Sequence, residues 1–254
     1  MAEDLALTWW GHASSTVELA GARVSIDPLL RDRLVHLRRL GPTPPAAAYD
    51  ADVVLVSHLH RDHLDLPSLR RFAPGVPLVV PRGAEPLLRG IDPARVHAVG
   101  PGEQLTLAGL RITVLPATHD GRRGPPSRAE GPALGFRVDG GGRSLWYPGD
   151  TALRDDLAAV GRVDLALVPV GGWGPTLGAG HIGPDAAAVA VGRVGAATAV
   201  PVHWGTFWPW GLRRIAPANH HRLFTTPGQR FVEALAGSGT TPLLARPGER
   251  VLLS

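Results

Sequence analysis

The chain has 254 residues, 44% of them hydrophobic, with a mean hydropathy of +0.04, a net charge of +4 and no cysteine. This length and composition predict a globular core, and the lack of cysteine excludes disulfides, thiolate metal ligands and cysteine nucleophiles. The positive charge is carried by arginine without a stripe of interleaved aromatics, so we expect no nucleic-acid partner. The acidic start Met-Ala-Glu-Asp and the absence of an apolar run of about 18 residues predict a cytoplasmic protein without a signal peptide or transmembrane segment.

The first half of the chain is dominated by short alternating or β-branched runs, which are typical of strands. Residues 30–50 are rich in arginine and proline and are predicted to be a loop or short helix crossing the surface. The predicted elements before residue 100 are strands at Thr8–Trp10, Ser15–Leu19, Arg23–Ile26 and 53–56, a helix at Leu66–Phe72, a strand at Leu78–Val80 and a helix at Ala84–Arg89.

The second half begins with two predicted hairpins and continues with alternating strands and helices. The hairpin strands are Gln104–Leu107 with Arg111–Leu115, and Leu134–Val138 with Ser144–Tyr147. The later predicted elements are a helix at Leu153–Ala159, a strand at Leu165–Val170, a helix at Asp185–Val194, a strand at Thr198–Val202, a helix at Gly228–Ala236 and a strand at Arg250–Leu253.

Strands outnumber helices, and both halves place hairpins before a β-α-β unit. Two stacked sheets with helices outside would accommodate this order, although secondary structure alone does not separate that arrangement from other α/β folds. No linker-like segment interrupts the composition, so residues 1–254 are predicted to form a single domain.

The segment Ser57-His58-Leu59-His60-Arg61-Asp62-His63 carries the strongest functional signal. It directly follows the predicted buried strand 53–56, which places three imidazoles and a carboxylate at a strand end. These groups are ligands of Zn²⁺ and neighbouring divalent ions. In an extended chain His58 and His60 project the same way, whereas the adjacent Asp62 and His63 diverge. This pattern suits two metal ions better than one.

Four further strand ends finish on a group that could bind a metal or support a ligand. They are Asp27 after Val24–Ile26, His119 after Ile112–Thr118, Asp150 after Ser144–Gly149, and His203 after Ala199–Val202. Any one of them alone is better explained as a satisfied loop residue. Together with the histidine segment, they predict one metal site assembled from several strand ends.

These motifs resemble the metallo-β-lactamase fold superfamily, whose His-x-His-x-Asp-His signature stands at residues 58–63. They are similar in particular to the branch that contains N-acylphosphatidylethanolamine-hydrolysing phospholipase D and ascorbate-6-phosphate lactonase. The resemblance spans about residues 7–236. Its further motifs are Trp10-Gly-His-Ala-Ser14, Ile26-Asp-Pro28, Tyr147-Pro-Gly-Asp-Thr151, His181-Ile-Gly-Pro-Asp-Ala-Ala187 and Pro201-Val-His-Trp-Gly-Thr-Phe207.

The resemblance implies an α/β (α+β) fold, a four-layer αββα sandwich with the metal site at one edge of the two sheets. It also implies that His58, His60 and His119 bind one divalent ion, that Asp62, His63 and His203 bind a second, and that Asp150 bridges both. Asp27 would orient the histidine loop as a buried carboxylate. Leu59 and Arg61 stand where lactonase-like members often carry an acidic and an aromatic residue, which leaves the ligands intact and the substrate open.

The implied activity is a metal-dependent hydrolase in which a metal-bridging hydroxide cleaves a phosphodiester, lactone or related ester bond of a small-molecule or lipid-like substrate. The two ions would be Zn²⁺, with Mn²⁺ or Fe²⁺ as alternatives. Asp62 is predicted to orient the attacking hydroxide or accept its proton. The alternatives are a nuclease of the same fold and a non-catalytic metal-binding protein that kept the fold.

Several residues near the predicted site have two open interpretations. His12 and His181 either hold an anionic group of the substrate or protonate the leaving group, or they are structural histidines bonded to loop backbone. Arg122 and Arg123 either hold a phosphate by bidentate bonds or are solvated. Six tryptophans could wall an apolar mouth, with core packing as the alternative for the first two: Trp9, Trp10, Trp173, Trp204, Trp208 and Trp210.

Overall fold

The structure is a computed structural model and describes residues 5–172, 177–209 and 211–253. Trp173 and Trp210, two of the tryptophans considered above, lie outside these residues. Strands make up most of the regular structure. They are β1 Leu5–Gly11, β2 Ser14–Leu19, β3 Ala22–Ile26, β4 Arg33–Leu34, β5 Leu37–Arg39, β6 Val53–Leu55, β7 Leu78–Pro81, β8 Val96–Val99, β9 Gln104–Leu107, β10 Leu110–Pro116, β11 Leu134–Gly140, β12 Arg143–Tyr147, β13 Leu165–Pro169, β14 Thr198–Val202, β15 Phe207–Pro209, β16 Thr241–Pro242 and β17 Arg250–Leu253.

Helices are short apart from two near the C-terminal end of the chain. The α-helices are α1 Leu66–Leu69, α2 Pro184–Val194, α3 Leu212–Ile215, α4 Pro217–His220 and α5 Pro227–Ala234. Single 3₁₀ turns lie at Ala46–Tyr49, Glu85–Leu87, Pro93–Arg95 and Leu157–Val160, and a π-helical turn at His221–Thr225. Among the residues that the structure describes, no helix is long and apolar enough to cross a membrane.

Two sheets of seven strands each form the centre of the molecule. The first has the order β17-β1-β2-β3-β6-β7-β8, and the second the order β16-β14-β13-β12-β11-β10-β9. In each sheet one part is antiparallel, from hairpins, and the other part is parallel, from β3 to β8 and from β12 to β16. Parallel strands end at the same edge, so the loops that follow them converge.

Three apolar clusters separate four layers. The largest lies between the sheets and combines side chains of both, such as Val17 and Leu55 with Val114 and Phe136. A second cluster covers the outer face of the first sheet, and a third packs α2 and α5 against the outer face of the second sheet. The αββα sandwich expected from the sequence is confirmed, with an outer layer on the first sheet that is made mostly of short turns.

Two predicted helices are wrong. Ala84–Arg89 contains only the turn Glu85–Leu87, and Leu153–Ala159 only the turn Leu157–Val160. Gly90 and Gly161, which have φ of 78° and 75°, end these segments after one turn. Short segments gain too little to offset the cost of helix nucleation, so packing decides their form.

The surface segment 30–50 contains a β-hairpin that the sequence did not reveal. Its strands β4 and β5 form a three-stranded sheet with β15, which comes from a distant part of the chain. The buried Arg39 ties this sheet to the main body, since its guanidinium donates to the backbone oxygens of Trp10 and Leu29 at 2.7 and 2.6 Å. Trp208, one of the tryptophans that could wall an apolar mouth, instead lies in this strand β15, where it is buried together with Phe207.

Candidate metal centre

Seven residues predicted to bind metal lie at one edge of the two sheets. The histidine segment follows β6, and the other groups follow β10, β12 and β14 in the second sheet. Backbone hydrogen bonds hold the loops together: Leu134 N donates to Ser57 O at 2.9 Å, and His203 N donates to His12 O at 2.7 Å. Strands from both sheets therefore contribute to a single cluster of side chains.

A first group consists of three imidazoles, those of His58, His60 and His119. The Nδ1 of His60 lies 2.9 Å from Nε2 of His58 and 3.2 Å from Nε2 of His119. The other nitrogen of His119 donates to the carbonyl oxygen of Gly180 at 3.0 Å, which leaves its Nε2 free to face the group. Tetrahedral Zn–N bonds of ~2.1 Å separate ligand nitrogens by roughly 3.3 Å, so these spacings fit one ion.

A second group lies beside the first and contains His12, Asp62, His63 and His203. The Nε2 atoms of His63 and His203 are 3.1 Å apart. The Oδ2 of Asp62 lies 3.7 Å from Nε2 of His63 and 3.6 Å from Nε2 of His203. Two imidazoles and a carboxylate at this spacing are a donor set that could hold a second divalent ion.

Asp150 lies between the two groups. Its Oδ2 is 3.3 Å from Nε2 of both His63 and His203, and its carboxylate also forms a potential ligand set with His58. The other oxygen, Oδ1, is buried and has no hydrogen-bond partner among the residues that the structure describes. A buried carboxylate oxygen without a partner is costly, and a cation would satisfy it. The site therefore fits metal ions.

Gly149 is required for Asp150 to reach this position. It has a φ of 64°, a left-handed backbone conformation that favours glycine. A Cβ at this residue would lie 2.4 Å from the carbonyl oxygen of Leu134 and 2.9 Å from Cβ of Ser57. The turn after β12 thus brings the backbone directly against the histidine segment.

The carboxylate of Asp27 holds the histidine segment in place by hydrogen bonds. It is fully buried and accepts from Ser57 N at 2.7 Å and from Ser57 Oγ at 2.6 Å. It also accepts from Nδ1 of His63 at 2.7 Å and from the hydroxyl of Tyr147 at 2.5 Å. Because a carboxylate only accepts, His63 carries its proton on Nδ1 and directs Nε2 at the cluster.

Backbone strain is concentrated at the cluster. Six non-glycine residues in the described part of the chain have positive φ, and three of them, His12, Asp27 and His203, belong to the site or contact it. Such conformations are uncommon for residues other than glycine, although aspartate and histidine adopt them more readily than most side chains do. Their concentration here indicates that the fold holds these groups in place against a local cost.

The protonation of the first group favours metal binding. Burial lowers the pKa of His58 well below its ordinary value and lowers the pKa of His119 to about 4. Burial, opposed in part by Asp62 and Asp150, lowers the pKa of His60 as well. These imidazoles are therefore neutral at neutral pH, which is the form that binds a cation.

The carboxylates of the second group are ionised. Burial alone would raise the pKa of Asp62 and Asp150, but the surrounding histidines hold the pKa of both well below the usual range. For His63, burial acts to lower the pKa, and Asp150, Asp27 and Asp62 together raise it well above its ordinary value. Asp62 and Asp150 thus bring negative charge to this group, and a second cation would take the place of the Nε2 proton of His63.

His12 and His181 take different positions in the site. His12 is buried, its Nε2 lies 3.0 Å from Oδ2 of Asp62, and burial lowers its pKa to about 4. His181 is partly exposed, and its Nε2 lies 3.3 Å from Oδ2 of Asp150. Burial acts to lower its pKa, yet the hydrogen bond and charge of Asp150 raise it overall. His12 is thus placed to orient Asp62, and His181 faces the open side.

The remaining predicted residues are distributed around the site. Trp9 and Trp204 stack with ring centroids 5.7 Å apart, and Trp9 and Trp10 are buried in the clusters on opposite faces of the first sheet. Exposed Arg122 pairs with Asp120 at 2.8 Å. Arg123 instead donates to the carbonyl oxygen of Leu59, within the histidine segment, and to that of Leu64, directly after it.

Comparison with known proteins gives one consistent family. The sequence profile of the Beta-lactamase superfamily domain matches residues 22–204. The N-acyl-phosphatidylethanolamine-hydrolyzing phospholipase D 1 of Caenorhabditis elegans is 32% identical over 226 residues, which are 79% of this chain and 64% of that protein. A metal-dependent hydrolase of Methanopyrus kandleri is 31% identical over 218 residues, which are 80% of this chain and 85% of that protein.

Solved structures share the fold over nearly the whole chain. Igni18, a metallo hydrolase from Ignicoccus hospitalis, superposes with a TM-score of 0.72 at 21% identity, covering 99% of each chain. An isothiocyanate hydrolase from Delia radicum gut bacteria gives a TM-score of 0.71 at 18% identity, covering 97% and 98%. The profile match and the relatives show that this chain belongs to the metallo-β-lactamase superfamily and is a metal-dependent hydrolase of it.

Proposed function

We propose that this protein is a dinuclear hydrolase that cleaves a phosphodiester or a related ester bond, a lactone included, with Zn²⁺ as the preferred ion. The observation that carries the proposal is the position of Asp150, within 3.3 Å of His63 and His203 and in one potential ligand set with His58. His58, His60 and His119 would hold one ion, and Asp62, His63 and His203 the other.

A pair of divalent ions supplies an activated water at neutral pH and polarises the substrate oxygen. The chain's own residues perform the remaining tasks. Asp62, oriented by Nε2 of His12, accepts a proton at its carboxylate. His181, which is partly exposed beside Asp150, donates a proton from Nε2 to the departing oxygen. No serine or cysteine nucleophile is needed, in agreement with a chain that has no cysteine.

A phosphodiester is favoured as the scissile group by one named relative, the phospholipase D of Caenorhabditis elegans. The chain spans only 64% of the length of that protein, so its lipid substrate is not carried over. Metal-loaded protein is expected to hydrolyse bis(p-nitrophenyl) phosphate, to lose this activity with 1,10-phenanthroline, and to regain it with Zn²⁺ or Mn²⁺.

Two variants sharpen this test. His60→Ala removes the nitrogen at the centre of the first group and is expected to abolish the activity. His97→Ala removes a histidine of β8 outside the cluster and is expected to retain it. The proposal fails if metal-loaded protein hydrolyses neither phosphodiesters nor lactones nor simple aryl esters, or if His60→Ala keeps full activity.

A further inference from the structure

A pocket of about 280 Å³ opens directly beside the metal centre. His60 and Asp62 form part of its lining, so it adjoins both groups of predicted ligands. The rest of its lining comes from the tip of the β4–β5 hairpin, residues 34–37, and from Arg61 and Arg123. A substrate bound at the metal centre would therefore extend into this pocket.

Two arginines bring positive charge to the pocket, and Asp62, the carboxylate in its lining, contacts the histidines of the second group instead of them. Among the residues described by the structure, neither Arg61 nor Arg123 forms an ion pair with a carboxylate. Burial and then the neighbouring Arg61 lower the pKa of Arg123 to about 10, which leaves the Arg123 guanidinium cationic at neutral pH. Arg123 is fixed by its bonds to Leu59 O and Leu64 O, whereas Arg61 makes only a 3.4 Å bond to Pro125 O. Arg61 is thus free to turn towards a ligand.

The hairpin supplies an apolar wall. Leu34 and Leu37 pack into a small cluster with Leu29 and Phe207, which fixes the hairpin, while Val35 at its tip is 75% exposed. Val35 also has a φ of 51°, an unfavourable conformation for a β-branched residue. This backbone conformation belongs to the two-residue turn of the hairpin, which holds the Val35 side chain in solvent beside the pocket.

The volume limits the size of the ligand. Pockets that enclose drug-sized molecules measure roughly 300–1,000 Å³. This pocket lies just below that range, so it accommodates one small group and does not enclose a lipid with two acyl chains.

We propose that Arg61 and the hairpin tip form a subsite that selects small anionic substrates carrying one short apolar group, such as an aryl or short alkyl phosphate or carboxylate. Arg61 binds the anionic oxygens, Arg123 adds fixed positive charge, and Val35 packs against the apolar group. The proposal rests on the hydrolytic function of the adjoining centre, and it names a specificity residue outside the predicted ligands.

Calorimetric titration of the metal-loaded protein with three non-hydrolysable probes tests this subsite. Phenylphosphonate carries both the charge and the apolar group, methylphosphonate only the charge, and benzamide only the apolar group. Phenylphosphonate is expected to bind about tenfold more tightly than either of the others. Arg61→Ala should weaken the binding of both phosphonates about tenfold, because it removes a charge-assisted hydrogen bond. The affinity for benzamide should stay unchanged.

Matched variants distinguish the loss of a specific Arg61 contact from a general effect of positive charge and from misfolding. Arg128→Ala removes an exposed arginine that does not line the pocket and should bind all three probes as the wild type does. Val35→Ser should lower the affinity for phenylphosphonate about threefold and leave the affinity for methylphosphonate unchanged. Equal phosphonate affinity in the wild type and Arg61→Ala, or phosphonate binding that depends on the metal alone, would overturn the proposal.

The result also separates the subsite from the proposed function. If no ester is hydrolysed but Arg61→Ala still weakens the binding of phenylphosphonate, the hydrolytic assignment fails and the subsite stands. If phosphodiesters are hydrolysed with the same KM by the wild type and Arg61→Ala, the function stands and the subsite is refuted.

Discussion

Asp27→Ala is expected to lower the free energy of unfolding by about 3–5 kcal/mol, because it leaves four buried donors without an acceptor. These donors are the backbone N–H and hydroxyl of Ser57, the phenol of Tyr147 and Nδ1 of His63. The same change should weaken metal binding about 10–100-fold, since His63 loses the group that sets its tautomer and direction. Urea denaturation of metal-free protein and a Zn²⁺ titration measure the two effects separately.

Tyr147→Phe is the control for this prediction. It removes one of the bonds to Asp27 and keeps the carboxylate, so a loss of about 1 kcal/mol and near-normal metal binding are expected. A free energy of unfolding for Asp27→Ala within about 1 kcal/mol of the wild type would show that the carboxylate does not hold the histidine segment.

Asp150→Ala is expected to reduce kcat/KM for a phosphodiester by about 10³-fold or more, because the two proposed ions would lose the carboxylate that lies between their ligand groups. The bound metal should fall from about two equivalents to one or fewer. Metal analysis and steady-state kinetics on the same sample link the two losses.

Asp155→Ala is a suitable comparison, since Asp155 is a fully exposed carboxylate five residues along the chain that pairs with Arg193. It should retain both metal and activity. If Asp150→Ala kept two ions and normal kinetics, the bridging role would be wrong even though the fold had been described correctly.

The histidine segment and the strand-end residues were accessible from sequence because their signal is local. An apolar run that ends on ligand-type side chains predicts both the strand and the position of the polar group, as at Val53–Leu55 followed by His58. Strands β10, β12 and β14 run in the same direction and end at one edge of the second sheet, which is how His119, Asp150 and His203 meet the segment.

The hairpin that lines the pocket was not predictable in the same way. Strand β5 consists of only Leu37–Arg39 and pairs with Phe207–Pro209, which lies far along the chain. Neither segment has enough residues to show the alternation of apolar and polar side chains that identifies a strand. The burial of Arg39 depends on Trp10 O and Leu29 O, which accept hydrogen bonds from its guanidinium. The contact of His12 with Asp62 likewise joins two residues that lie 50 positions apart in the chain.

Inductively coupled plasma mass spectrometry of the purified protein, reconstituted with excess Zn²⁺ and then dialysed, counts the ions bound per chain. The wild type is expected to hold close to two ions per chain, as a dinuclear hydrolase would. One ion or none per chain in correctly folded protein would rule out the dinuclear centre.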